Sequence, residues 1–286
     1  MNFKSVKKVV SKFVLAMLLS SSFSLSSVAI GPRQEQAMKD WLSMMKLDVK
    51  EGMEFLKYEP LKLSDDIQDS TVCYLVPIYR DDNVKKFIID LYSNPNYKNY
   101  MKDFFGHKGM MTPKEAEAKY ENALISMYNP RDSRVYGHEY LDGLSGSFDF
   151  LIYYGDELAG HLSIGPMRIK SPVTSTYSLK ENPSDISKVS VVIHKKYSRK
   201  GIFFGLRQFS INDSVRFFNN AYRNNSKNER YNLNMLYAPL SKNQPKIFEN
   251  FLTKLCGFIY DKDVTEFFGD LADNKSDNFN YYYKTV

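Results

Sequence analysis

Only two of the 286 residues are cysteines, and only one is tryptophan. With Cys73 and Cys256 as its only thiols, the chain cannot carry the dense disulfide framework of a small secreted scaffold. No Cys/His cluster has the spacing of zinc ligands, so no metal is expected. The sequence has no internal repeat and no low-complexity tract beyond its first thirty residues. It also lacks a clustered basic surface signature. Its formal charge is only +6, and its aromatic residues are not interleaved with basic clusters. A nucleic-acid partner is therefore not expected, because that footprint needs cations gathered on the folded domain.

What is present is an ordinary globular composition, 43% hydrophobic and 25% charged, at a length that allows one or two domains. Aromatics are plentiful, with 21 Tyr and 20 Phe, and read mainly as core material. The first 29 residues form a separate unit. Lys4, Lys7, Lys8 and Lys12 precede the short apolar run from Phe13 to Leu19. A small-residue stretch follows, ending in Ser27-Val28-Ala29. This is the pattern of a secretory signal peptide, and the run is too short for a comfortable membrane span. The expectation is export, periplasmic or secreted, with an uncleaved membrane anchor as the alternative. Removing the four leader lysines lowers the charge to +2, so the basic balance belongs largely to the leader.

Residues 30–70 read as a helical N-terminal segment and linker, with Met38, Trp41, Leu42 and Met45 at helical spacing. This segment either packs on the main domain or covers an opening. From Thr71 the pattern changes. Residues 71–78 are rich in β-formers. Asp81 or Asp82 can cap a helix that carries Val84, Phe87, Ile88 and Leu91 on one face and stops at Asn94-Pro95. Thr112-Pro113-Lys114-Glu115 has the form of a capping box at the start of a second helix, reaching about Tyr128. Residues 148–154 and 158–167 read as a hairpin around Gly155-Asp156-Glu157. There follow a strand at 188–193, a helix at about 201–222, a strand at 233–238, a helix at roughly 244–255, and two strands near 258–262 and 279–285. This order fits an α/β (α+β) fold with a mixed, mostly antiparallel sheet and helices on both faces. On that reading Cys73 and Cys256 lie far apart and stay as buried free thiols.

The stretch from Val189 to Leu206 carries the most chemistry. A strand runs into a basic turn around Gly201 and then into a helix, an arrangement whose free amides suit an anionic phosphate. Together with its neighbours it resembles the acetyl-CoA site of the GCN5-related N-acetyltransferases (GNAT), in particular the ribosomal-protein-alanine acetyltransferase branch. The resemblance spans roughly residues 71–286. It rests on Pro77-Ile78-Tyr79-Arg80-Asp81-Asp82, on Ser93-Asn94-Pro95 and on Leu158-Ala159-Gly160-His161-Leu162-Ser163-Ile164. The phosphate loop aligns as Ser198, Arg199, Lys200, Gly201, Ile202 and Phe203, and the later markers as Asn243 and Cys256-Gly257-Phe258.

The resemblance implies a GNAT-like domain over 71–286 that uses acetyl-CoA as co-substrate and an amine of a protein or small molecule as acceptor. It implies that amides around Val191 and Ile193 polarise the thioester carbonyl and that residues 198–203 hold the pyrophosphate. It assigns Asn243 either to the pantetheine arm or to an ordinary helix cap. Tyr237 and Ser241 are candidates for the acid that reprotonates the thiolate, and His194 for acid–base work. His161 is either an acceptor-site group or a locally satisfied strand residue. Glu139 and His138 precede the second main strand, where substrate loops gather in the family. Three departures stand out. The leading Arg or Gln of the loop is Ser198, the final small residue is Phe203, and Lys188 occupies the place of a common glutamate base. Lys195, Lys196, Arg199 and Lys200 are the cations available to compensate. The turn is otherwise an ordinary strand-to-helix connection with a solvated face, and the protein a catalytically degenerate, exported GNAT-fold binding module.

Overall fold

The computed structural model describes residues 30–60, 71–97, 110–128, 148–166, 186–198, 200–206, 235–242, 245–262, 265 and 279–285. The leader lies outside the described residues, as do 129–147, which contain His138 and Glu139.

Two short helices open the described chain, α1 (Pro32–Met44) and α2 (Val49–Phe55). They are held tightly together: a Cβ on Gly52 would stand 2.3 Å from Leu42 Cδ2, so any larger residue there would displace the Leu42 side chain. Residues 57–58, expected to continue the helical segment, instead form β1 (Lys57–Tyr58), an added edge strand antiparallel to β2 (Cys73–Pro77).

Helix α3 (Asp82–Ser93) starts where Asp81 accepts the amides of Asn83 at 2.8 Å and Val84 at 3.1 Å. It buries Val84, Ile88, Leu91 and Tyr92, a stripe at i, i+4, i+7 and i+8. Asn94 caps its end, and Pro95–Tyr97 makes a single 3-10 turn. At the head of α4 (Pro113–Tyr128) the capping box forms as its residues require. Thr112 Oγ1 accepts the Glu115 amide at 3.3 Å, and Glu115 reaches back to the Thr112 amide at 2.7 Å.

The sheet continues with β3 (Phe148–Tyr154), β4 (Glu157–Pro166), β5 (Ile186–Ile193), β6 (Met235–Ser241), β7 (Ile259–Asp261) and β8 (Phe279–Thr285). Its order is β1-β2-β3-β4-β5-β6-β8-β7. Every neighbouring pair is antiparallel except β5 with β6. Two short helices flank that exception, α5 (Ile202–Gly205) after β5 and α6 (Lys246–Asn250) after β6. α6 passes directly into a π-helical turn, Phe251–Leu255, closed by the Cys256 amide donating to the Phe251 carbonyl at 3.0 Å.

Helices cover both faces. Trp41 of α1 stands edge-on to Phe148 and Phe150 of β3, with ring centroids 5.6 and 5.1 Å away. On the opposite face, which Leu151 shares with its cross-strand partner His161, the His161 ring meets Tyr92 of α3. Trp41, Leu42, Leu75, Ile78, Ile88 and Phe150 are fully buried in one continuous core. The N-terminal helices are thus packed onto the sheet of the main domain. Cys73 and Cys256 are both buried and not joined in a disulfide. No helix among the described residues is long and apolar enough to cross a membrane.

Candidate functional site

The one parallel pairing in the sheet is short. Among the described residues, β5 and β6 are matched only at Ile186 with Met235, Ser187 with Leu236, and Lys188 with Tyr237. Beyond those pairs β5 continues to Ile193 against β4, while β6 continues to Ser241 against β8. The two strands therefore diverge, and a wedge opens between their C-terminal halves.

Strand alternation decides which backbone groups face that wedge. The His194 amide donates to Ala159 on the β4 side at 2.8 Å. The Val192 carbonyl also points at β4, since a Cβ on Gly160 would stand 2.5 Å from it. The intervening Val191 and Ile193 present their N–H and C=O groups to the other side, toward the wedge. These are the positions expected to polarise a bound carbonyl. A backbone donor at a dry strand edge can do so without reorganising. Val191 is half-buried and Ile193 buried.

The wedge ends at the basic turn. Lys195–Tyr197 forms one 3-10 turn, after which Ser198 and Lys200 donate their amides to Lys195 and Tyr197. Gly201 then takes a left-handed φ of 71° and serves as N-cap of α5. The first helical bond runs from Gly205 N to Gly201 O at 3.0 Å, so the amides before Gly205 precede the ladder. Ile202 is buried and anchors the turn in the core. Ser198 is exposed, and Arg199 lies outside the described residues.

Two of the compensating cations are already engaged. Glu157, at the tip of the β3–β4 hairpin, holds Lys196 Nζ at 2.9 Å and accepts the Tyr197 hydroxyl at 2.7 Å. Those hydrogen bonds, Lys196 first, keep its carboxyl below the usual carboxylate range. Lys200 Nζ sits 5.8 Å from the centre of the Tyr154 ring. The hairpin therefore partly neutralises the turn. Glu157 gave no local signal in the sequence, because the contact spans forty residues and depends on the hairpin register.

Phe203, where the resemblance implies a small residue, is half-buried. Its ring lies 5.4 Å from Phe204, 5.3 Å from Phe248 and 5.2 Å from Phe251. It leans on the helix that follows β6. The four phenylalanines thereby join the helices that leave the two diverging strands.

The two histidines are each held by neighbouring side chains. His161 is fully buried on β4. Its Nδ1 meets the Tyr92 hydroxyl at 2.7 Å, and its Nε2 lies 3.1 Å from Asp149 Oδ1, off the line of an ideal hydrogen bond. Burial pushes its pKa down despite Asp149, and burial pushes the Tyr92 hydroxyl well up. It is a buried strand residue held between Tyr92 and Asp149. His194 is held from both sides. Its Nδ1 accepts the Lys196 amide at 3.2 Å, and its Nε2 lies 2.7 Å from Tyr97 Oη and 3.6 Å from Asp90 Oδ2.

The structure places the backbone of Tyr237 beside Lys188 at the base of the wedge and that of Ser241 at the far end of β6. Their side chains, that of Lys188, and all of Asn243 lie outside the described residues. Among the described residues no group of three His, Cys, Asp or Glu side chains is arranged to hold a metal ion.

No protein-family model and no curated protein matches the chain. Solved structures similar to it include the microcin C7 self-immunity acetyltransferase MccE in complex with acetyl-CoA and AMP. That chain is 14% identical, with 80% of this chain and 97% of that one covered, at a TM-score of 0.43. RimL, the ribosomal L7/L12 alpha-N-protein acetyltransferase in complex with coenzyme A, is 10% identical over 80% and 98% of the two chains, at 0.44. The spermidine N-acetyltransferase from Vibrio cholerae, in complex with CoA and spermine, is 14% identical over 74% and 95%, at 0.43. At these values the likeness is one of loose architecture.

Proposed function

We propose that the protein is an acetyl-CoA-dependent N-acetyltransferase that transfers acetyl to an amine of a protein or small molecule. The observation that carries this reading is the wedge between β5 and β6, with the Val191 and Ile193 backbone turned into it and the glycine turn at its mouth. A thioester carbonyl laid along β5 would accept a hydrogen bond from one of those amides as negative charge develops on its oxygen. The neutral amine attacks the carbonyl carbon to form the C–N bond, the C–S bond breaks, the amine nitrogen gives up one proton to a base or water chain, and the departing thiolate takes up one proton. Tyr237 and Ser241, on the facing strand, are the proposed donors of that proton. The turn at 198–203 is the proposed holder of the cofactor phosphates, and Asn243 of its pantetheine arm. Holding both reactants in line supplies much of the acceleration, up to about 7–11 kcal/mol in favourable cases.

One alternative has its own support. Lys196 is tied to Glu157, and Phe203 stands in the place of a small loop residue. Both favour a GNAT-like scaffold that has lost transfer and serves as an exported binding module. Export itself is proposed from the lysine-rich leader.

Isothermal titration of acetyl-CoA into the wild-type protein and into Gly201→Trp separates the two. Micromolar binding that the variant abolishes supports the enzyme reading. An absence of binding at millimolar cofactor sinks it and leaves the binding module.

A further inference from the structure

His194 stands at a joint. It follows the last residue of β5 and touches three other segments. Phe87 of α3 stacks on its ring, with centroids 6.0 Å apart and planes at 27°. Tyr97, in the 3-10 turn after α3, lies edge-on at 5.1 Å and meets Nε2 through its hydroxyl at 2.7 Å. The Lys196 amide, in the turn that leads to Gly201, donates to Nδ1. The charged and titratable groups around the ring are Asp90 on α3, Tyr97 on the following turn, and Lys196 and Tyr197 on the basic turn. Lys195 and Glu157 lie just beyond.

The bonding fixes the tautomer. Because Nδ1 accepts an N–H, the neutral ring carries its hydrogen on Nε2, which donates to the Tyr97 oxygen. Protonation would put a second hydrogen on Nδ1, facing the Lys196 amide with two donors opposed. The same charge would draw the ring toward the Asp90 carboxylate, whose Oδ2 is already 3.6 Å from Nε2 and whose Oδ1 is occupied by the Asn94 amide at 2.7 Å. One protonation thus removes the cap of the turn and rewards an alternative contact.

We propose that His194 is a positioning residue: its unprotonated Nδ1 sets the shape of the basic turn, and its protonation releases the turn and weakens capture of a phosphate-bearing cofactor. The cofactor consequence rests on the acetyltransferase reading, whereas the control of the turn does not.

The test uses the full chain labelled with 15N-lysine, with the Lys196 signal assigned through Lys196→Arg. Its amide is followed by NMR between about pH 8 and pH 5, the range in which imidazoles change charge. The wild-type amide should move and exchange faster in step with the His194 ring signal. In His194→Asn, whose side-chain oxygen can still cap the turn but does not titrate, the amide should stay put. Acetyl-CoA affinity should fall about tenfold on acidification of the wild type, the equivalent of one lost hydrogen bond, and stay level in His194→Asn. A Lys196 amide indifferent to the His194 titration would overturn the proposal, as would a pH response that survives in His194→Asn. If the amide responds as expected and acetyl-CoA binds at neither pH, control of the turn stands and the acetyltransferase reading falls.

Discussion

Gly160 on β4 lies so close to Val192 on β5 that a Cβ would stand 2.5 Å from the Val192 carbonyl oxygen and 3.0 Å from Ile193 Cδ1. The contact sets how near β4 can hold β5, and so how far β5 leans away from β6. Gly160→Ala should push the strands apart and cost about 1–3 kcal/mol, the usual penalty for overpacking a close contact. Chemical denaturation measures that loss. A variant as stable as the wild type would mean that β5 shifts freely, and the Val191 and Ile193 amides would then not be held in place.

The Glu157 carboxylate links the hairpin tip to the basic turn through Lys196 and Tyr197. Its pKa is depressed in the folded protein, so its contribution is present above the ordinary carboxylate range and is lost as pH falls through and below it. Glu157→Gln should remove that acid sensitivity. The effect at neutral pH should stay below about 1 kcal/mol, because the pair is largely exposed. Denaturation midpoints measured at neutral pH and near pH 3 should converge for the two proteins on acidification. Parallel losses would refute the assignment.

His161 titrates in the opposite sense to a surface histidine that gains an acidic partner. Burial lowers its folded pKa, so above the unfolded value of about 6.5 both states are neutral and the full stability is present. As pH falls below that value the unfolded chain binds a proton that the folded chain resists, and stability drops. His161→Gln should lose stability at pH 7.5, since Tyr92 and Asp149 lose a partner, but should decline less between pH 7 and 5. Unfolding curves at the two pH values decide it. An equal decline in both proteins would place the acid-sensitive group elsewhere.

Much of this architecture was legible in local chemistry. The Asp81 cap, the Thr112–Glu115 box, the buried Val84, Ile88 and Leu91 of α3 and the Gly155 hairpin all follow from neighbouring residues, and each formed where the pattern put it, whereas Phe87, read on the same helix face, is only half-buried and stacks on His194. β1 escaped notice because two residues beside a helix carry no strand period of their own. Only pairing with Cys73 and Tyr74 makes them a strand. The π turn at 251–255 escaped for a similar reason, since nothing in Phe-Leu-Thr-Lys-Leu distinguishes it from an α-helix. At the site, a turn around Gly201 between a strand and a helix was readable; its left-handed φ came only with the structure. The partners that decide its surroundings were not. Glu157, Asp90 and Tyr97 come from segments far away in sequence, and their roles depend on the register of a hairpin and the exit of a helix.

Phe203 brings the remaining conflict into one side chain. Its ring helps join α5 to the helix after β6, yet it occupies the loop position where the resemblance implies close approach of a phosphate to the backbone. Removing it should therefore act in two directions. Phe203→Ala loses ring contacts with Phe204, Phe248 and Phe251 and should cost about 2 kcal/mol, less than the ~3–5 of a fully buried phenylalanine. The same change opens the approach to the amides before Gly205, so acetyl-CoA should bind more tightly to the weakened protein. Thermal denaturation and calorimetric titration on one preparation read both effects. Tighter binding with lower stability would mark Phe203 as an obstruction kept for packing. Weaker binding would mean that the ring itself shapes the cofactor path, and that the loop has departed from the family pattern without losing its ligand.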